Sequence, residues 1–441
     1  NSTELKNVVL FNKVQVPHYN YVGDSILGYK AHMGAGSITS NVKSDKTLVD
    51  VVVLGERIHT GLKKFGAMLG DNVEIGCNTV MNPGTVIGRM SNVYPTSMVR
   101  GFVPEKHIYK KQGEVVFKED DRLMKSISKA HFLLVITTAV FMITGIVMSF
   151  LPAQIRMDMP TWFIMSVGSL TILVPPVIYC AVKRISLPQA IGLKKTRPVN
   201  VLMAVLVLIC SYPVVTVLNF ISMLFVENAV QDTMMSLLFT TNLPVMLLVM
   251  AVLPAISEEL LFRGILYNTY RKAAPLMGVF LSALFFALLH GNFNQIPYAF
   301  FLGLVLALMM EATGSIIIPV IMHFLMNGSN VLISYAMKPV FFKEQVMSGL
   351  DGFAETESIL QSLTAAVGPD GLKVVIAIYA FIALLFAAAV AALIYATFLI
   401  NRKPVKSLVI PGRSIRQRLS LLDWWVAVFI GLMLVRMILL I

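Results

Sequence analysis

The sequence predicts two parts: a parallel β-helix of hexapeptide repeats, then an all-α bundle of about eight to nine membrane spans. Three observations predict it. An aliphatic residue recurs every six positions from Leu69 to Val93. From His131 onward the chain turns strongly apolar. Charged residues make up 14% of the 441, against about 25% in a soluble protein, while 56% are hydrophobic.

Taken in sixes from Leu69, the chain reads LGDNVE, IGCNTV, MNPGTV, IGRMSN and VYPTSM. First positions are Leu69, Ile75, Met81, Ile87 and Val93; fifth positions are Val73, Thr79, Thr85, Ser91 and Ser97. An aliphatic residue every six, with a small one four later, marks a β-helix in which three sixes make a triangular coil and the aliphatic side chains stack inside. The pattern recurs at Leu10, Val16 and Val22, slips by one at Leu27 and continues at Met33. Residues 40–64 interrupt it and predict an excursion loop. This domain is placed at 1–112. It starts within its own repeat at Asn1, so an N-terminally truncated domain is expected. Residues 113–130 are expected to be an amphipathic linker.

The membrane part is placed at 131–441. A helical span needs roughly 20 apolar residues. Candidates lie near 131–152, 161–182, 199–225, 241–270, 275–290, 295–311, 315–336, 373–400 and 423–441. The short fifth and sixth, joined by GNFNQ, predict a tight antiparallel pair. The net charge of +12 is no nucleic-acid signal, because much of the excess sits in short loops beside apolar spans. Cysteine is scarce: Cys77, Cys180 and Cys210 suggest no disulfide framework, which fits a cytosol-facing N-terminal domain on a cell-membrane protein.

SEELLFRGILY sets Glu258, Glu259 and Arg263 in a run otherwise apolar enough for a membrane. Each charge near the bilayer centre costs about 2.5–3.5 kcal/mol on insertion scales, so three together imply a function. Glu259 and Arg263, at i and i+4, can pair directly. Glu258, rotated about 100° away, is then the free carboxylate and candidate general base. FALLH adds His290 on a second span. HFLMN adds His323 and Asn327, again i and i+4, on a third. These are parts for polarising a water molecule, as in an intramembrane protease; a structural ion pair is the plainer alternative. Glu258 and His290 lie about 20 Å deep at roughly 1.5 Å per residue. His323 is shallower, unless the turn at Thr313–Ser315 dips into the membrane.

EELLFR, FALLH and HFLMN occur in the order of the three motifs of the CPBP family, which includes CAAX prenyl endopeptidases and bacteriocin-processing or immunity-related membrane proteases. Residues 190–335 resemble that family closely, with the core motifs at 241–330. The resemblance implies an endopeptidase acting on a membrane-associated peptide or protein. Glu258 and His290 would activate water, Glu259 and Arg263 would position them, and His323 with Asn327 would stabilise the oxyanion. Metal-free catalysis is the expectation; Zn²⁺ would have to use Glu258, His290 and His323, with no HExxH pair present. The soluble half resembles the left-handed β-helix domain of bacterial N-acetylglucosamine-1-phosphate uridyltransferase/acetyltransferases. HYNYVGD and GAGSITSN carry that likeness. It implies a homotrimer with sites between subunits, acetyl-CoA as co-substrate, His18 as the transfer base, and Tyr21 and Asn41 at the sugar or acyl-CoA site. His32 stands where the family usually has Asn.

Two rivals come from other classes: a non-catalytic membrane immunity or binding protein, and a membrane-tethered acyltransferase related to sugar nucleotidyltransferases. Orientation is testable now. Residues 183–197 carry Lys183, Arg184, Lys194, Lys195 and Arg197, and 402–418 carry Arg402, Lys403, Lys406, Arg413, Arg416 and Arg418. By the positive-inside rule both loops are cytoplasmic. Cysteine labelling from outside intact cells is expected to miss both and to reach 344–370; outside labelling at 401–418 would reverse the orientation.

Overall fold

The computed structural model describes the chain except residues 1, 112–113, 119–120, 187, 189–190, 224, 227–228, 348–355, 409–421 and 441. It divides into two compact units, the first running to Asp121 and the second beginning at Arg122. Of the expected loop between 344 and 370, residues 348–355 lie outside the described residues, while the flanking residues belong to the helices Ile317–Met347 and Thr356–Ile400; most of 402–418 also lies outside the described residues.

In the first unit the six-residue period becomes a parallel β-solenoid. Short strands stack on three faces, five to a face. Leu69 pairs with Ile87, Ile75 with Val93 and Met81 with Val99, each 18 positions on, so three sixes close one coil. Leu69, Ile75, Met81, Ile87 and Val93 are all buried in one stacked core. The small residues at fifth positions are buried too, and their hydroxyls serve backbone carbonyls: Thr85 Oγ1 donates to Val99 O at 3.2 Å and Ser91 Oγ to Pro104 O at 2.7 Å. The chain turns each corner with a left-handed residue, again every six: Asn72, Asn78, Gly84, Met90 and Thr96. Gly84 is the tightest of these positions, since a Cβ there would come within 2.4 Å of the Asp50 carbonyl.

Three expectations are corrected. Leu10 is 40% exposed rather than stacked inside, because its coil has a neighbour on one side only. The excursion is not simply a loop. Met33 pairs with Ile75, 42 positions on, and the insertion carries an antiparallel hairpin, Asp50–Val53 against Glu56–His59. The segment 113–130 is not simply a linker either. Its Glu114–Phe117 pairs antiparallel with His107–Lys111, and a helix begins at Asp121. EVVF has the β-branched content to join a sheet edge. Ile127 and Ala130 bury into the helical core.

The second unit is helical: α1 (Asp121–Ser149), α2 (Ala153–Asp158), α3 (Thr161–Val182), α4 (Pro198–Met223), α5 (Ala229–Thr240), α6 (Leu243–Tyr270), α7 (Pro275–Leu289), α8 (Ile296–Thr313), α9 (Ile317–Met347), α10 (Thr356–Ile400) and α11 (Trp424–Leu440). Among the described residues seven helices are long and apolar enough to cross a membrane. Two shorter apolar ones, Pro275–Leu289 and Trp424–Ile438, accompany them. Within α6, two stretches are π-helical, Leu248–Val252 and Leu260–Tyr267, and they flank the Glu258–Glu259 pair. Such wide turns are rare and favour functional sites.

Candidate active site in the helical unit

Glu259 is the centre of the site. It and Arg263 have side chains with 0% exposure. Arg263 Nη1 donates to Glu259 Oε1 at 2.9 Å, the i, i+4 pairing expected from sequence. The other end of the guanidinium reaches Gly303 O on α8 at 3.1 Å, and its face lies 4.4 Å from the centre of the Phe286 ring on α7. Gly303 also lets α8 lie close against α7, since a Cβ there would fall 2.8 Å from Ala283 Cα. One buried cation is thus met by a carboxylate, a carbonyl and a ring, which is what an ionised group away from water requires.

The same oxygen, Glu259 Oε1, accepts a second bond from His323 Nδ1 on α9 at 2.9 Å. His323 therefore carries a proton on Nδ1, because a carboxylate can only accept. Its other nitrogen, Nε2, faces Glu258 Oε2 at 4.0 Å. Glu258 Oε2 and Glu259 Oε2 are both buried without a hydrogen-bond partner among the described residues. His290 directs Nδ1 to its own Phe286 carbonyl at 2.9 Å, which fixes the proton on Nδ1 and leaves Nε2 as the acceptor of the neutral ring. The Phe286 ring lies edge-to-face with both imidazoles, with centroids 5.0 Å from His290 and 5.8 Å from His323. His290 also interacts electrostatically with Glu258 and with His323.

The structure therefore brings Glu258, Glu259, Arg263 and His323 into direct proximity, with His290 one ring away. Asn327, one turn beyond His323 on α9, is held by a backbone oxygen of α6. Its Nδ2 donates to Met250 O at 3.1 Å, which commits one N–H and leaves the other. Met250 lies in one π-helical stretch. In the other, Phe262 O accepts the Ser282 hydroxyl at 3.0 Å. Each wide turn thus offers a carbonyl to a neighbouring helix. Near the end of α8, Glu311 accepts from Tyr267 Oη at 2.6 Å and pairs with Arg271, just past the end of α6, at 2.9 Å, so the ends of the two helices lie level.

Among the described residues no three His, Cys, Asp or Glu side chains are grouped so as to hold a metal ion. Sequence reasoning missed Gly303, Ser282 and the Met250 carbonyl. No local pattern marks residues whose part is a backbone oxygen or close helix approach.

In the solenoid, Asn41 Nδ2 donates to Asp24 at 2.5 Å and to Tyr21 Oη at 3.3 Å. Tyr21 and Asn41 are thus brought together, and Asp24 joins them unanticipated. His18 is exposed and its backbone is left-handed, with φ 44°, apart from that bonded cluster. His32 pairs with Glu74 at 2.8 Å.

Residues 240–329 match the protein-family model described as Type II CAAX prenyl endopeptidase Rce1-like. With the long apolar helices, this describes a multi-pass membrane protein whose residues 240–329 are similar to that family. The N-terminal region is similar to a bifunctional sugar-1-phosphate nucleotidylyltransferase/acetyltransferase of Sulfurisphaera tokodaii, 38% identical over 98 residues, or 22% of this chain and 24% of that protein. It is also similar to the bifunctional protein GlmU of Methanococcus maripaludis, 34% identical over 120 residues, 27% of this chain and 29% of that one. The chain spans about a quarter of the length of the curated relatives it matches. A solved hexapeptide-repeat acetyltransferase from Vibrio cholerae aligns at 15% identity over 26% of this chain and 73% of its own, with a TM-score of 0.16. That score bears no weight here; the solenoid rests on its own strand register.

Proposed function

We propose that the helical unit is an intramembrane endopeptidase that hydrolyses a peptide bond of a membrane-associated peptide or protein, with water activated by Glu258 and His290. The observation that carries this reading is the meeting of α6 and α9 at one buried spot: Glu258 and His323 face each other at 4.0 Å while Glu259 holds Arg263 and His323 through a single oxygen. A purely structural ion pair needs Glu259 and Arg263 only. The second glutamate, whose buried Oε2 has no hydrogen-bond partner among the described residues, is surplus to that role.

In this mechanism a water between Glu258 and His290 attacks the scissile carbonyl carbon and gives its proton to the Glu258 carboxylate. The carbonyl oxygen becomes an oxyanion facing His323 Nε2 and the uncommitted N–H of Asn327. His323 donates there when it carries both ring protons. Collapse breaks the C–N bond, and the proton held by Glu258 passes to the leaving nitrogen, so one water yields one carboxylic acid and one amine, and Glu258 is again a carboxylate. Such donors contribute most where charge develops. Glu259 and Arg263 act by holding His323 and α6 in place. The solenoid lies on the cytoplasmic side in this reading. The rival, a non-catalytic immunity or recognition protein, would use the same polar cluster without cleavage.

Glu258→Gln keeps size and hydrogen bonding but cannot take a proton. Proteolysis is expected to fall at least ~10²-fold with folding intact. Asn327→Ala is expected to cost about 10²–10³-fold. Chelators are expected to leave activity unchanged. Full activity of Glu258→Gln on a verified substrate would end the mechanism, and activity lost to chelation and restored by Zn²⁺ would replace it with a metal site.

A second reading concerns the solenoid alone. The Tyr21–Asn41–Asp24 cluster, together with relatives named as acetyltransferases, supports transfer of an acetyl group from acetyl-CoA to a sugar phosphate, with sites completed in a homotrimer. His18→Ala is then expected to lower acetylation by about 10²–10⁴-fold. Purified full-length protein that turns over no acetyl-CoA with any hexosamine phosphate would retire this reading.

A further inference from the structure

α11 lies outside the 240–329 family match, and its sequence is apolar except for one residue, Arg436. A lone arginine in such a helix needs a reason. Among the described residues no carboxylate lies within 4.0 Å of it. Its Nη1 instead donates to the Leu289 carbonyl, and its guanidinium sits 4.6 Å from the centre of the Phe141 ring.

Leu289 is the last residue of α7, and His290 follows it. A helix end leaves its final carbonyls without intrahelical partners. Here the last four are each taken. Phe286 O accepts His290 Nδ1, Ala287 O accepts the His290 N–H, and Leu288 O accepts the Gly291 N–H. Only Leu289 O has to be served from another helix, and Arg436 serves it. The cation also sits at the negative end of the α7 dipole. Gly291 takes φ +65° beside it, and a Cβ there would fall 2.7 Å from Arg436 Cζ. Both Glu258 and Arg436 act electrostatically on His290.

α11 is itself pinned along its length. Asp423, just before it, accepts from His131 Nδ1 at 2.8 Å, and His131 Nε2 takes the Tyr270 hydroxyl. Phe429 packs edge-to-face on Phe285 of α7, with centroids 5.2 Å apart. Arg436 is about 20 Å farther along than Asp423, at roughly 1.5 Å per residue. The helix therefore braces α7 from the level of Tyr270 to that of His290.

We propose that Arg436 is a positioning residue that caps α7 from α11 and sets the ring of His290 for its part in hydrolysis. This rests on the proteolytic reading above, so the test has one readout that needs no substrate. Arg436→Met removes the donor and keeps an apolar side chain; Arg436→Lys keeps a donor for Leu289 O. In ¹⁵N-histidine-labelled protein in detergent, Arg436→Met is expected to shift the His290 ring signals, assigned by His290→Gln, and Arg436→Lys to restore most of the shift. With a verified substrate, Arg436→Met is expected to lower kcat about 10–100-fold at nearly unchanged KM, the scale of a small misplacement, with partial recovery in Arg436→Lys. His290 signals unmoved in folded Arg436→Met, or kcat per folded molecule equal to wild type, would overturn the proposal. Absence of cleavage by the wild type, with the ring signals shifting as expected, would instead remove the protease reading and leave the cap.

Discussion

A single carboxylate oxygen, Glu259 Oε1, accepts both Arg263 Nη1 and His323 Nδ1 at 2.9 Å. The arrangement of the helical unit turns on this shared acceptor. Inside a bilayer neither water nor salt can relieve an ion pair, and removing one partner of a fully buried pair costs about 3–5 kcal/mol. Through Arg263 the same charge reaches the Gly303 carbonyl on α8 and the Phe286 ring on α7, and through His323 it reaches α9. Four helices are thereby fixed around one anion. Glu258, next in sequence but pointing elsewhere, is left with an oxygen that has no hydrogen-bond partner among the described residues.

The two π-helical stretches of α6 complete the arrangement. A wider turn directs a carbonyl sideways, and two neighbours use the result: Asn327 takes Met250 O and Ser282 takes Phe262 O. These bonds hold α9 and α7 against α6 where apolar packing alone offers little direction, since lipid tails are as apolar as the side chains. Asn327 is oriented at the same time, with one amide hydrogen committed and the other available. The outer brace is α11, which meets α7 at the residue just before His290.

Much of this was legible in sequence where the pattern is local. The six-residue period from Leu69 to Val93 names the stacked core residue by residue, because solenoid burial repeats with the chain. The Glu259–Arg263 pair is legible because i and i+4 adjoin on any helix, and the constellation on three spans follows from residue types alone. What sequence does not carry is set by partners distant in the chain. The Asn327–Met250 bond depends on a π turn that no propensity marks. The Asp24–Asn41 contact depends on coil stacking 17 residues apart. The strand Glu114–Phe117 depends on a free sheet edge, and the hairpin in the excursion forms a two-stranded sheet of its own. Arg436 has no role in the sequence reading, because its partner is a backbone oxygen 147 positions away.

The central claim is that Glu259 couples His323 to α6 as one unit. A double-mutant cycle on the detergent-solubilised protein tests it most directly, with unfolding free energies for wild type, Glu259→Gln, His323→Ala and the double variant. The account predicts a coupling above about 1 kcal/mol, within the range of roughly 0.5–3 kcal/mol found for residues sharing one network. Additivity within about 0.3–0.5 kcal/mol would show that the two side chains act independently and would contradict it.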